Sequence, residues 1–236
     1  MTRNRAKFQS VLLLLGFLLS LSGFVTIPAA AAASACSPFV PFAGYCVTSS
    51  TSLTTDTITL KVPVGACKSP ADNALFGLFL SGAGSSANAG VDVSCNTLDR
   101  PQYSVTFQIC GQLPQTASFK VAPGQKIQIE MAAEPSFTSI IIKDATTGQS
   151  ENAGCGLGFA TTKALYGVFE GEHCIGIQCT PFLVHFRAVI FSNCEASLTP
   201  IGGFGQHLFK QFDSRVKVSP LSNTGLSFSA TWLSEM

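Results

Sequence analysis

From residue 57 onward the chain carries short runs in which apolar and polar side chains alternate. Thr57-Ile-Thr-Leu-Lys-Val62 alternates and stops at Pro63, and Tyr103-Ser-Val-Thr-Phe-Gln-Ile109 alternates too. Lys126-Ile-Gln-Ile-Glu130 follows a Pro123-Gly124 turn, and Ser139-Ile-Ile-Ile-Lys143 leads into the turn Asp144-Ala-Thr-Thr-Gly148. Val184-His-Phe-Arg-Ala-Val-Ile-Phe191 and Leu226-Ser-Phe-Ser-Ala-Thr-Trp232 complete the set. Successive side chains of a strand point to opposite faces, so a period of two buries one face and leaves the other wetter. Runs rich in Val, Ile, Thr and Phe, parted by Gly, Pro, Asn and Asp, predict an all-β antiparallel sandwich of two sheets. The sequence shows no heptads, no internal repeat and no composition break that would mark a second domain.

The first 35 residues follow another pattern. Arg3, Arg5 and Lys7 precede an apolar run, Val11 to Leu21, and a tail of small residues ends at Ala33-Ser34-Ala35. A charged start, an apolar centre and a small-residue end make a secretory signal peptide. The apolar run is too short for a permanent membrane span. Residues 1–35 are therefore set apart, and residues 36–236 are expected to form the sandwich of a secreted, extracellular protein. The sandwich is expected to start directly after the signal, with no propeptide between them.

Charge narrows the picture further. Only 11% of residues are charged, against roughly 25% in an ordinary soluble domain. The net charge of +1 gives no reason to expect nucleic acid or a polyanionic surface as partner. Few carboxylates leave few groups whose protonation would unfold the chain, which suits an acidic exterior.

Nine cysteines follow the signal: Cys36, Cys46, Cys67, Cys95, Cys110, Cys155, Cys174, Cys179 and Cys194. In an exported chain they read as a disulfide framework with one thiol left over. Cys36 directly follows the small-residue tail, where a lipoprotein carries its anchor, and lipidation there would leave an even eight. Ala33, however, stands where a lipidation signal usually has Leu. A membrane partner is expected only if Cys36 is lipidated; a free thiol or a different cleavage position are the alternatives.

Other chemistry is sparse. The histidines His173, His185 and His207 have no metal-like spacing. His173 and Cys174 with Cys179 offer zinc-ligand types, yet disulfides are the expectation outside the cell, so no metal and no cofactor are assigned. His185 alternates with Val184 and Phe186 and reads as structural. No Gly-x-Ser-x-Gly elbow supports a serine triad, Gly82-Ala-Gly84 reads as a turn, and no Asn-x-Ser/Thr sequon occurs.

The order of short segments along residues 40–234 resembles the eqolisins, the glutamic peptidases. Phe42-Ala-Gly-Tyr45 is similar to the family's Trp-Ala-Gly-Tyr, Leu60-Lys-Val-Pro63 to Phe-Thr-Val-Pro, and Ala74-Leu-Phe-Gly-Leu78 to Ala-Trp-Val-Gly-Ile. Ala89-Gly-Val-Asp92 resembles the Thr-Gly-Val-Asp after the catalytic Gln, and Asp144-Ala-Thr-Thr-Gly-Gln149 a family turn. Val189-Ile-Phe-Ser-Asn193 and Ser227-Phe-Ser-Ala-Thr-Trp232 resemble Val-Thr-Phe-Thr-Asn and the closing Ser-Phe-Ser-Val-Thr-Trp. The resemblance implies a concanavalin A-like lectin/glucanase sandwich with a concave groove. Relatives with cysteines after the Val-Pro and Gly-Val-Asp strands imply a Cys67–Cys95 bridge. A Cys174–Cys179 bridge through a short loop is a further candidate.

Family members cleave peptides in acid with a Glu that serves as general base and then acid, and a Gln whose amide supports the oxyanion. The match places Asn88 on the Gln position. Asn keeps the amide, but its donor retreats by roughly 1.5 Å, a distance at which alignment fails. The segment Ala164-Leu-Tyr-Gly-Val-Phe169 stands on the family's Ala-Glu-Trp-Ile-Val-Glu, so Phe169 takes the catalytic Glu position and Leu165 that of a second Glu. The carboxylate of Glu170 comes one residue late, which in a strand means the other face. A bulge at Gly167 would correct the slip. Asp92 is retained, and Gln108 lies near a cleft-side Glu of the family.

The resemblance thus implies a secreted relative with a degenerate catalytic pair, its groove serving to bind an extended peptide or a surface ligand. The alternatives are a weak acid endopeptidase using Glu170 with Asn88 or Gln108, and a surface module tethered at Cys36.

Overall fold

The computed structural model describes the backbone of residues 42–82, 85–170, 172–175, 178–181, 183–210 and 215–233, and side chains there except in 170–182 and 206–210. In chain order, β1 is Phe42–Leu53, β2 Thr55–Lys61, β3 Gly65–Ala66, β4 Asn73–Gly82 and β5 Ser85–Cys95. β6 is Pro101–Gln108, β7 Gln115–Thr116, β8 Lys126–Glu134, β9 Phe137–Asp144 and β10 Ser150–Cys155. β11 is Thr161–Glu170, β12 Glu172–Ile175, β13 Gln178–Pro181, β14 His185–Phe186 and β15 Val189–Ala196. β16 is Thr199–Pro200, β17 Gly205–Lys210, β18 Val216–Val218 and β19 Phe228–Trp232. One 3-10 turn, Ile201–Gly203, interrupts the strands.

Two large antiparallel sheets result, with two short two-stranded ones, β12–β13 and β14–β3, beside them among the described residues. The first has the order β17-β1-β11-β4-β5-β6-β7, the second β10-β9-β8-β2-β15-β19-β18 with β16 beside β15. The alternation read from the sequence decides their inner faces. Ile58 and Leu60 of β2 and Ile127, Ile129 and Met131 of β8 are buried. They join Phe76, Leu78 and Leu80 of β4 in one core cluster. Each such side chain taken from water contributes about 1.5–3 kcal/mol.

One expectation about local structure is corrected. Residues 184–191 are not one strand: β14 ends at Phe186 and β15 starts at Val189, each pairing in a different sheet. The break lets β14 pair with β3 while β15 lies between β2 and β19. β1, β4 and β11 show no clean alternation because side chains of both parities are buried in them. A strand covered on both faces loses its polar positions and with them its period-two signature.

The disulfide Cys67–Cys95 is present, and Cys110 bonds to Cys155. Cys46 is also disulfide-bonded. Cys174 and Cys179 stand opposite each other in the β12–β13 hairpin; their side chains lie outside the described residues, as does Cys36. The free thiol among the described residues is Cys194, fully buried in the core. The odd cysteine count therefore has an explanation that does not involve Cys36.

Candidate functional site

Asn88, Asp92, Gln108 and Phe169 lie on the outer face of the first sheet, the face turned away from the shared core; Glu170 pairs with core-facing Ala74, and its side chain lies outside the described residues. Strand register arranges that face in three rows across β1, β11, β4, β5 and β6. One row is Phe42, Phe169, Leu75, Asp92 and Ser104. The next is Gly44, Gly167, Gly77, Gly90 and Thr106. The third is Cys46, Leu165, Phe79, Asn88 and Gln108.

The β1–β11–β4 half of the face is apolar and closed. Phe42, Cys46, Leu165 and Phe169 form a second buried cluster, separate from the main core, with Leu75 and Phe79 packed against it. The ring of Phe169, only 4% exposed, sits 4.9 Å from that of Phe42 and 6.2 Å from that of Phe79. The position matched to the family Glu is therefore inside a hydrocarbon cluster. Aromatic rings at such distances add packing energy beyond their burial.

The β5–β6 half is polar. Asn88 Nδ2 donates to Gln108 Oε1 at 3.2 Å, and Gln108 Nε2 donates to the Gln112 carbonyl at 2.8 Å. Asp92 stands at the far side of the glycine row, opposite Leu75 and Ser104. Burial disfavours its charged form and raises its carboxyl to about 6. Asn88 and Phe169 share the face but do not meet. Two strand spacings, with β4 between, and four residues part them, roughly 10 Å across and 13 Å along at ordinary sheet spacing.

The bulge at Gly167 that the Glu170 alternative requires is absent. β1 and β11 pair without a break from Phe42–Phe169 to Thr48–Lys163, and β11 and β4 from Lys163–Ser81 to Glu170–Ala74. The register shifts fall near Thr48/Leu53 and Thr161/Lys163 instead. Gly167 has a different role as one of four glycines aligned across four strands. A Cβ on Gly90 would come within 2.5 Å of the Phe76 carbonyl oxygen, and one on Gly44 would strike that of Tyr166. The row is thus a crease where neighbouring backbones leave no room for side chains. Sequence reasoning missed both the crease and the second cluster. The signals were there: a glycine midway through each of four apolar segments, and Leu75, Phe79 and Leu165 at positions where an open face would carry polar groups.

The chain superposes on scytalido-glutamic peptidase in complex with a transition state analog inhibitor with a TM-score of 0.69, at 16% identity, over 83% of this chain and 99% of that one. It superposes on SCP-B, a member of the eqolisin family solved with the tripeptide Ala-Ile-His, with a TM-score of 0.66 at 16% identity and the same coverage. The fold is eqolisin-like. No family model matches the sequence, and no curated protein does. The likeness therefore lies in the eqolisin-like sandwich, and the chemistry must be argued from this chain's own residues. Among the described residues no helix is long and apolar enough to cross a membrane.

Proposed function

We propose that this protein is a secreted relative of the glutamic peptidases that has lost catalysis and binds an extended peptide on the outer face of its first sheet. The observation that carries the reading is the burial of Phe169 between Phe42 and Phe79. An acid peptidase of this kind needs a carboxylate and a water at that position; a ring in a buried apolar cluster supplies neither. Asn88 is already engaged with Gln108. The uninterrupted register from Gly167 to Glu170 gives the Glu170 alternative no support.

What is left on the face suits recognition. Leu75 and Phe79 form a half-buried apolar ridge beside the Asn88–Gln108 amides and the Asp92 carboxyl. Apolar contact with a few placed polar groups is the usual make-up of a peptide site. The solved relatives hold a transition state analog and a tripeptide, and a peptide on this face would keep the binding half of that role. Disulfides and the eqolisin-like fold are compatible with an extracellular setting, and the free Cys194 removes the parity argument for a lipid on Cys36.

The test is to incubate the purified, oxidised protein with an unfolded substrate protein from pH 3 to pH 7, beside a Glu170→Gln variant. No cleavage is expected from either. Cleavage at acid pH that disappears in the variant would sink the proposal. The binding half is tested on a peptide array, where capture should weaken in Phe79→Ala and Asp92→Asn.

A further inference from the structure

A second surface, on the other sheet, has a chemistry that the net charge conceals. A cavity of about 620 Å³ lies at one end of the sandwich, walled by Trp232, Phe186 and His185 and bordered by Lys68 and Arg187. Val64 and Arg187 continue from it into a cavity of about 330 Å³, which also takes in Lys61 and Ile190. Lys61 and Ile190 in turn border a third cavity of about 400 Å³ with Lys126, Gln128, Ser192 and Asn193. The shared residues make the three a continuous trough running onto the outer face of β2, β8 and β15.

The trough is basic along its length. Of 14 Lys and Arg in the chain, Arg3, Arg5 and Lys7 stand at the N-terminus, and Lys61, Lys68, Lys126 and Arg187 line the trough. None of the 13 Asp and Glu lines it among the described residues. Glu130, two residues past Gln128 on β8, lies beyond its described lining. Lys61 and Lys126 are directly paired across β2 and β8, and both are exposed. Like charges directly opposite on neighbouring strands destabilise a sheet, so this pair makes sense when an anion sits over it.

The rest of the lining narrows the anion. Thr59, Gln128, Ser192 and Asn193 place neutral hydroxyls and amides beside the lysines. At the other end the Trp232 ring is stacked on His185 at 4.4 Å. Val64 and Ile190 expose apolar surface between the two, at 57% and 53%. We propose that this trough binds an acidic polysaccharide, a chain of hydroxyl-rich rings bearing carboxylate or sulfate groups. Its anionic groups would lie on Lys61, Lys126 and Arg187, with a ring against the Trp232–His185 wall. Net charge averages over the whole surface; recognition depends on where the charges sit.

Trp232 is the one Trp in the chain, so intrinsic fluorescence reports on the aromatic end of the trough. The oxidised protein is titrated with polygalacturonate, dextran sulfate and neutral dextran, following emission and, in parallel, heat. One or both acidic chains should bind and perturb Trp232 emission, with affinity falling steeply as salt rises, while dextran should not bind. Lys61→Ser with Lys126→Ser should weaken binding at least tenfold, and Arg187→Ser alone should weaken it measurably if the double variant fails to fold. Equal binding of neutral dextran, no heat with either acidic chain, or unchanged affinity in the folded variants would overturn the proposal. So would tighter binding of a single-stranded oligonucleotide, since stacking plus a basic groove also describes such sites.

Discussion

The rings of Phe42 and Phe169 meet at 4.9 Å across β1 and β11, on the face of the sheet turned away from the core. An open substrate cleft would leave such a position wet. Here it belongs to a second hydrophobic cluster, and the chemistry of the face follows from that.

Restoring a carboxylate at this position should cost stability and return no activity. Phe169→Glu places an ionisable group among Phe42, Leu165 and Phe79, and should lower unfolding free energy by about 3 kcal/mol or more. Phe169→Leu, which keeps the site apolar, should cost about 1–2 kcal/mol. Urea denaturation of both variants checks this. A Phe169→Glu protein as stable as the parent would show that the cluster opens readily.

The core holds a pH-dependent element at Asp56. Tyr166 Oη lies 2.9 Å from Asp56 Oδ1 and 2.7 Å from the Glu195 carbonyl oxygen. The Tyr166 hydroxyl is the donor to both, so the Asp56 carboxyl shares its donor with a carbonyl, and its second oxygen, Oδ2, is buried without a hydrogen-bond partner among the described residues. Burial, opposed by the Tyr166 hydrogen bond, raises the Asp56 carboxyl to about 7, and burial raises Asp92 to about 6. A carboxyl raised on folding stabilises most below its unfolded value and loses that contribution as pH rises through the folded value. Asp144 opposes this at the acid end. Although burial works against it, hydrogen bonds from Thr147 and Thr146 hold its carboxyl below the usual range. Stability should therefore be greatest near or just below pH 4 and fall between about pH 4 and pH 7, by on the order of 5 kcal/mol. Thermal melts across that range, repeated with Asp56→Asn, should show the decline flattened in the variant.

The glycine crease should tolerate no side chain. Gly90→Ala drives a Cβ against the Phe76 carbonyl and the Leu75 side chain, and a loss of about 2–4 kcal/mol is expected. Gly156→Ala, with nothing within 4 Å of its Cβ, should be nearly neutral. Paired denaturation curves decide it; equal midpoints would mean that the strands move apart freely.

Thiol chemistry offers a direct check on the fold. Burial, with the nearby Glu195 adding to it, pushes the Cys194 thiol far up. It should resist alkylation in the native protein and react on unfolding without reductant. Peptide mapping under non-reducing conditions should recover the Cys67–Cys95 and Cys110–Cys155 links. Removing the first, whose ends are 28 residues apart, should cost about 3 kcal/mol. Rapid native labelling at Cys194 would contradict its place in the core.

The amino-acid pattern alone was enough for the sandwich, and the family resemblance implied one disulfide, Cys67–Cys95. Alternation of apolar residues in β2, β8 and β9 is a local property that depends only on each strand having one wet face. The resemblance located Asn88, Phe169, Asp92 and Gln108, and all four lie on one face. What tertiary structure decided is what those residues meet. Phe169 could have lined an open cleft or a closed cluster, and only register with Phe42 and Leu75 distinguishes them. Gly167 could have marked a bulge or a crease, and pairing with Gly44 and Gly77 makes it a crease. Lys61, Lys126 and Arg187 are scattered over more than a hundred residues of a nearly neutral chain, and the second sheet gathers them along one trough. Local patterning is written in neighbours along the chain; long-range electrostatics and packing depend on which strands lie side by side.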